Sequence, residues 1–309
     1  MANHDPHAID DLRRVAEAAP AGAARAEAVA RLAVALRRAG RRSEAHSAAQ
    51  TAAQMFTRLD AAAPAALLGL LAGELLAEMR RDDRAAHRLA EARHALEATE
   101  AAASLKARCE RLLADVNRRR GRLDEAERWL ASARDLYEGA GSARAAAGCE
   151  HDLGVLRHGL GDLEGAVAAL RGARSALLSA RDREGVASCG FNLGVALHDA
   201  GHHDDAIDQY QQARAIFQAV GRREDAAGCE QNIAAVLFSG GRIEEAGQRL
   251  MVAQGVYREL GSARRVAECD ADLAQVLRAS GRDEAAMAYL ARARAQGVDD
   301  PASAVSASA

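Results

Sequence analysis

Five cysteines stand at Cys109, Cys149, Cys189, Cys229 and Cys269, each forty residues after the last. A fixed period of that size means a stack of like supersecondary units, because no unit of forty residues buries its own apolar face alone. Other columns keep the same step. Twelve residues after each cysteine comes Gly121, Gly161, Gly201, Gly241 or Gly281, and three further an acid: Asp124, Glu164, Asp204, Glu244, Glu284. Ala126, Ala166, Ala206, Ala246 and Ala286 follow, then Leu130, Leu170, Tyr210, Leu250 and Leu290, then Ala133, Ala173, Ala213, Ala253 and Ala293. Before the glycine, Leu113, Leu153, Leu193, Ile233 and Leu273 are each followed by Ala or Gly.

Each column has a mechanical meaning. A large apolar residue, its small neighbour and a second apolar position four on make the buried stripe of a first helix. The small residue lets a second helix approach closely. The glycine suits the left-handed conformation that ends a helix, and the acid then meets the positive end of the next helix dipole. Ala206, Tyr210, Ala213 and Phe217 share one helical face, and Gly141-Ser142 and Gly261-Ser262 read as a helix stop followed by an N-cap. The unit is a helical hairpin. Composition agrees: aromatics are 3%, prolines four, and one lysine, Lys106, stands against forty arginines, a bias toward strong helix formers.

Two upstream units lack the cysteine. Leu32-Ala33, Gly40, Ala45, Ala52 and Phe56 fit the columns, as do Ala72-Gly73, Ala85, Leu89, Ala92 and Leu96, with Arg80 in place of the turn glycine. The expected architecture is all-α: a right-handed α-solenoid of about seven hairpins over 23–296, with units at about 23–62, 63–101, 102–141, 142–181, 182–221, 222–261 and 262–296. Residues 1–22 read as a leading helix, N-capped by Asp5 with Pro6 at its first position, and 297–309 as a disordered tail.

These columns resemble the tetratricopeptide repeat family in its forty-residue variety. The phrases Asn192-Leu193-Gly194-Val195-Ala196-Leu197 with Gly201, Ala206, Tyr210 and Ala213, and Asn232-Ile233-Ala234 with Gly241 and Ala246, carry the resemblance. It implies a right-handed superhelix whose first helices line a concave groove. Similar arrays occur in spindle-orientation adaptors, kinesin light chains and bacterial peptide-sensing regulators. The chain departs from the pattern at the aromatic near the start of the first helix, which here is Glu110, Glu150, Gly190, Glu230 or Asp270.

Catalysis is not expected. There is no phosphate loop, GxSxG elbow or HExxH, and cysteines one hairpin apart lie too far from one another for a disulfide. They read as small buried residues. His198, His202 and His203 with Asp204 and Asp205 are the nearest approach to a metal set, but Gly201 ends the helix between them, so no metal or cofactor is expected. The arginine clusters Arg37-Arg38 with Arg41-Arg42, Arg80-Arg81 with Arg84, and Arg118-Arg119-Arg120 with Arg122 flank successive turns. They read either as a basic ridge for an acidic partner or as cations at helix C-termini paired with nearby acids. A net charge of −3 and the lack of interleaved aromatics argue against nucleic acid. No run reaches a membrane span and the start lacks a signal peptide, so a cytoplasmic location is expected.

With Leu193 and Leu197 facing the second helix, Phe191, Asn192 and His198 fall on the opposite side. The equivalent columns hold His151, Asp152 and His158, then Asn232 and Phe238, then Asp272. Two readings stand for this face. In one it holds a peptide or protein segment: Phe191 and Phe238 supply apolar contact, and Asp152, Asp199 and Asp272 meet cationic groups. The resemblance adds that an asparagine in the place of Asn192 and Asn232 binds peptide backbone. In the other, these residues contact the neighbouring first helix or water. The function expected is an interaction scaffold, or alternatively a sensor that switches conformation on binding a signalling peptide or small molecule. A homodimer through the last hairpin, around Met287, Tyr289 and Leu290, is the remaining partner expectation.

Overall fold

The computed structural model describes residues 6–97 and 103–297. Among them are fifteen helices: α1 (Pro6–Ala18), α2 (Ala23–Arg38), α3 (Arg42–Arg58), α4 (Ala62–Glu78), α5 (Asp82–Glu97), α6 (Ala103–Arg119), α7 (Leu123–Gly139), α8 (Ala143–Gly159), α9 (Leu163–Ser179), α10 (Arg183–Asp199), α11 (His203–Ala219), α12 (Arg223–Ser239), α13 (Ile243–Glu259), α14 (Ala263–Ala279) and α15 (Asp283–Ala295). One leading helix and seven hairpins account for all of them. The expected cap at Asp5 and the tail beyond Gly297 lie outside the described residues.

From α6 to α14 each helix has 17 residues, and three-residue connections complete a step of twenty. The middle residue of each connection has positive φ: Gly121, Gly141, Gly161, Arg181, Gly201, Gly221, Gly241, Gly261 and Gly281. Gly201 shows why. Its amide donates to His198 at 2.9 Å and that of His202 to Leu197 at 2.8 Å, closing two orphan carbonyls of α10 as a left-handed C-terminal residue allows. Asp60, Arg80 and Arg181 adopt the same conformation without being glycine.

The acids expected in the first turn of each second helix are there. Ser262 differs from expectation: its side chain makes no capping bond, whereas Asp162 and Asp182 accept from Gly165 and Gly185. All three residues sit at ψ near 75°. There the carboxylate, one atom longer than the hydroxyl, spans to the third amide.

The chain divides into two compact units, Met1–Leu156 and Arg157–Ala309. In the first, small apolar clusters follow one another along the hairpins, around Phe56, Leu89, Leu113 and Leu130. In the second, a larger cluster runs from Ala166 to Val276 around Tyr210, Phe217 and Ile233. The small residues have the purpose read from sequence: a Cβ on Gly194 would stand 2.7 Å from the Tyr210 ring, and one on Gly73 would stand 2.7 Å from Leu89. All five cysteines are buried free thiols. Burial pushes Cys109, Cys229 and Cys269 up to about 12 and Cys149 to about 11, so they are unreactive apolar fillers at neutral pH.

Candidate peptide-binding surface

The polar residues of the first helices are tied across to the next first helix with a regular offset of 41 positions, one more than a repeat. In the first unit, Arg37 of α2 donates to Glu78 of α4 at 2.8 Å, and Arg111 of α6 to Asp152 of α8 at 2.7 Å. His151 Nδ1 lies 3.3 Å from the other Asp152 oxygen. Burial alone raises the Asp152 carboxyl, but His151 and Arg111 outweigh it and hold it below the usual range.

The second unit repeats the offset three times. His158 Nε2 lies 2.6 Å from Asp199 Oδ2, His198 Nε2 lies 3.3 Å from Ser239 Oγ, and Gln231 Nε2 donates to Asp272 Oδ2 at 2.7 Å. Burial depresses the His198 imidazole; Asp199 opposes the shift and His203 adds to it. Burial raises the Asp272 carboxyl, with Gln231 working against it.

These bonds realise the neighbouring-helix reading for Asp152, His158, His198 and Asp272. The aromatic positions behave differently. Phe191 is half-buried and packs edge-on against Tyr210, with ring centroids 5.7 Å apart. It is an extension of the core. Phe238 is half-buried and walls a depression of about 360 Å³ together with Asn232, Gln231, Asp272, Gln275 and Ser239. Asn232 spends one donor within its own helix, Nδ2 to the Gly228 carbonyl at 2.9 Å; the amide carries a second hydrogen and the acceptor oxygen. Asn192 is half-buried and has an interaction partner. Of the nine residues read from sequence, Asn232, Phe238 and Asp272 therefore share one concavity, His158 and His198 flank Asp199, and His151 and Asp152 pair in the other unit.

His198 and His203 have ring centroids 5.5 Å apart, yet among the described residues no group of three or more candidate ligands could hold a metal ion. The first and third arginine clusters are substantially ion-paired. Arg37 bonds Glu74 and Glu78, Arg41 bonds Glu44, Arg118 bonds Asp115, and Arg119 bonds Asp82 and Asp115. No described helix is long and apolar enough to cross a membrane. A second concavity, of about 650 Å³, is lined by Ile9, Leu12, Val34 and Leu68 together with Arg31 and Arg38.

Sequence reasoning missed a ladder of largely buried acids held across helices. The acids that replace the usual aromatic column are held from the preceding second helix. Arg93 donates to Glu110 at 2.7 Å, Arg134 to Glu150 at 3.0 Å, Gln254 to Asp270 at 2.5 Å, and Arg214 bonds Glu230. The signal was available. Arg134, Arg174, Arg214 and Gln254 recur at the forty-residue step, and an acid in a buried column requires a partner.

Residues 144–219 match the tetratricopeptide repeat family. The fold is that of the tetratricopeptide-repeat solenoids. Apo RapI matches with a TM-score of 0.67 at 14% identity, over 84% of this chain and 93% of its own. Aspartyl phosphate phosphatase F from Bacillus subtilis matches at 0.68 and 13%, over 93% of this chain and 73% of its own. A Rap protein complexed with competence and sporulation factor matches at 0.57 and 13%, over 88% and 80%. No curated protein matches in sequence. At such identities the solved structures speak to the tetratricopeptide fold alone.

Proposed function

We propose that this tetratricopeptide array is a non-catalytic module that binds a peptide or protein segment on the first-helix face of its second unit, at the depression between α12 and α14. The observation that carries this reading is the Phe238 depression. There a partly buried ring stands beside the amide of Asn232 and the Gln231–Asp272 pair, one of the polar bonds that cross this face. An apolar wall with a few convergent polar groups is what a small binding site requires. The Rap protein solved in complex with competence and sporulation factor supports the sensor form of the reading.

The test is selection of peptides from a display library on immobilised protein, with an Asn232→Ala/Phe238→Ala variant as counter-selection. Retention of a peptide class by the unmodified protein alone supports the reading. Equal retention by both places the working surface elsewhere. A second reading is pairing of two copies through the last hairpin, where Met287 is 61% exposed on α15 while Leu290 is buried. Sedimentation of Met287→Glu against the unmodified chain tests it, and an unchanged monomer in both removes it.

A further inference from the structure

Within the five cysteine-bearing hairpins the ladder of acids has one missing rung. Its acids are Glu110, Glu150, Glu230 and Asp270, and the corresponding position of α10 is Gly190. The groups that would hold an acid there are nevertheless in place. Arg174 precedes Gly190 by the same 16 positions that separate Arg134 from Glu150 and Arg214 from Glu230. Gln209 follows it by the 19 positions that separate Glu230 from Arg249, which donates to that acid at 3.1 Å.

Packing does not call for a glycine at 190. An added Cβ would meet only ordinary contacts: Ala213 and the Gln209 carbonyl at 3.7 Å, and Arg174 Nε at 3.8 Å. Gly194, four residues on, is the contrast, since a Cβ there would strike the Tyr210 ring. A glycine inside a helix costs about 0.5–1 kcal/mol relative to alanine; this buried one lacks the acid side chain the other rungs carry, and the place of that side chain is the slot. Arg174 lies over the slot, its Nη2 bonded to Gln212 at 2.6 Å, and among the described residues no carboxylate pairs with it. The Gln209 side-chain oxygen is buried without a hydrogen-bond partner. Buried polar atoms are paired as a rule.

We propose that the slot over Gly190 is a carboxylate-binding site, in which a carboxylate of a bound polypeptide takes the place of the missing rung. Arg174 donates to it as Arg134 does to Glu150. The Gln209 amide turns so that its NH2 group donates to the carboxylate, which replaces an orphaned acceptor with a satisfied donor. The nature of the ligand rests on the polypeptide-binding reading above; the slot itself does not.

The experiment follows the Arg174 Nε–H and Gly190 N–H resonances of the 15N-labelled full chain. The probes are N-acetylglycine, which offers a chain-terminal carboxylate, and N-acetylglutamic acid α-amide, which offers a side-chain one, each against sodium chloride at matched ionic strength. Saturable shifts with the carboxylates and none with chloride are expected; the tighter probe identifies the source, and equal affinities mean that the carboxylate alone is read. Arg174→Ala should weaken binding at least tenfold. Gly190→Glu, which supplies its own carboxylate, should abolish it and raise Tm; if that variant does not fold, Arg174→Ala decides. The proposal is overturned if chloride shifts the resonances equally or if Arg174→Ala binds as before. Carboxylate binding lost while selected peptides still require Phe238 overturns this site only, and the converse overturns only the depression.

Discussion

Gln231 on α12 and Asp272 on α14 are joined by a 2.7 Å hydrogen bond that spans one repeat plus one residue. Burial disfavours the charged form of Asp272 more than this bond favours it, so its pKa is raised in the folded chain. The folded state thus binds a proton more readily than the unfolded one, and the carboxylate costs stability once pH rises through both values. Asp272→Asn keeps an acceptor for Gln231 and removes that cost. It should leave Tm unchanged or higher at pH 7 and remove the Asp272 component of the pH dependence, which sets in above the unfolded value of about 3.9. A lower Tm at pH 7 contradicts the assignment.

His198 carries the opposite consequence. Its pKa is lowered, chiefly by burial, so the neutral ring is favoured in the fold. Its stabilising contribution is full above the unfolded value near 6.5 and is lost as pH falls through the folded value. Urea midpoints of the unmodified chain should therefore drop between pH 7 and 5, and His198→Gln should drop less. Parallel curves would assign the acid sensitivity to other groups.

Arg181 occupies a left-handed position, φ 56°, that its counterparts Gly141, Gly161, Gly201 and Gly221 fill without a side chain. A side chain there costs about 1–2 kcal/mol, offset in part by the extra freedom glycine has when unfolded. Arg181→Gly should raise stability by up to about 1 kcal/mol, read as a higher thermal midpoint.

Gly194 and Gly190 separate packing from vacancy. Gly194→Ala drives a Cβ to 2.7 Å from the Tyr210 ring, and overpacking of a core costs about 1–3 kcal/mol. Gly190→Ala meets nothing closer than 3.7 Å and gains about 1 kcal/mol of helix propensity. The two alanines should move Tm in opposite directions. A fall in both would mean that α10 needs a bare backbone at each point.

Glu110 is fully buried beneath Arg93. Removing one partner of a buried pair is costly, though Arg93 keeps some solvent and Glu97 at 2.6 Å. Glu110→Ala should cost about 3 kcal/mol, the low end of what breaking a buried pair costs. A change below about 0.5 kcal/mol, the scale of an exposed pair, would deny the ladder its structural role.

The helices were legible because their signals are local. A glycine every forty residues, an acid three later and an apolar stripe at 3.6-residue spacing each act within one or two turns. The cross-links were not. Helical spacing assigns His158 and Gln231 to a face, but which atom on the next helix each meets depends on the displacement between repeats, which offsets partners by one residue beyond the period. Phe191 packs onto Tyr210 while Phe238 lines an opening, a difference that helical spacing alone did not assign. Asn232 shows a third kind of limit. An amide on an exposed face reads as available, and only the rotamer reveals that it bonds the carbonyl of Gly228.

The most direct test of the binding surface is calorimetric titration of one display-selected peptide into the unmodified chain, Phe238→Ala, and a Met251→Ala/Val252→Ala variant altered at exposed apolar positions on α13. The prediction is at least a tenfold loss of affinity for Phe238→Ala and less than a twofold change for the α13 variant. Full affinity in Phe238→Ala with loss in the α13 variant would contradict it and move the site to the second helices.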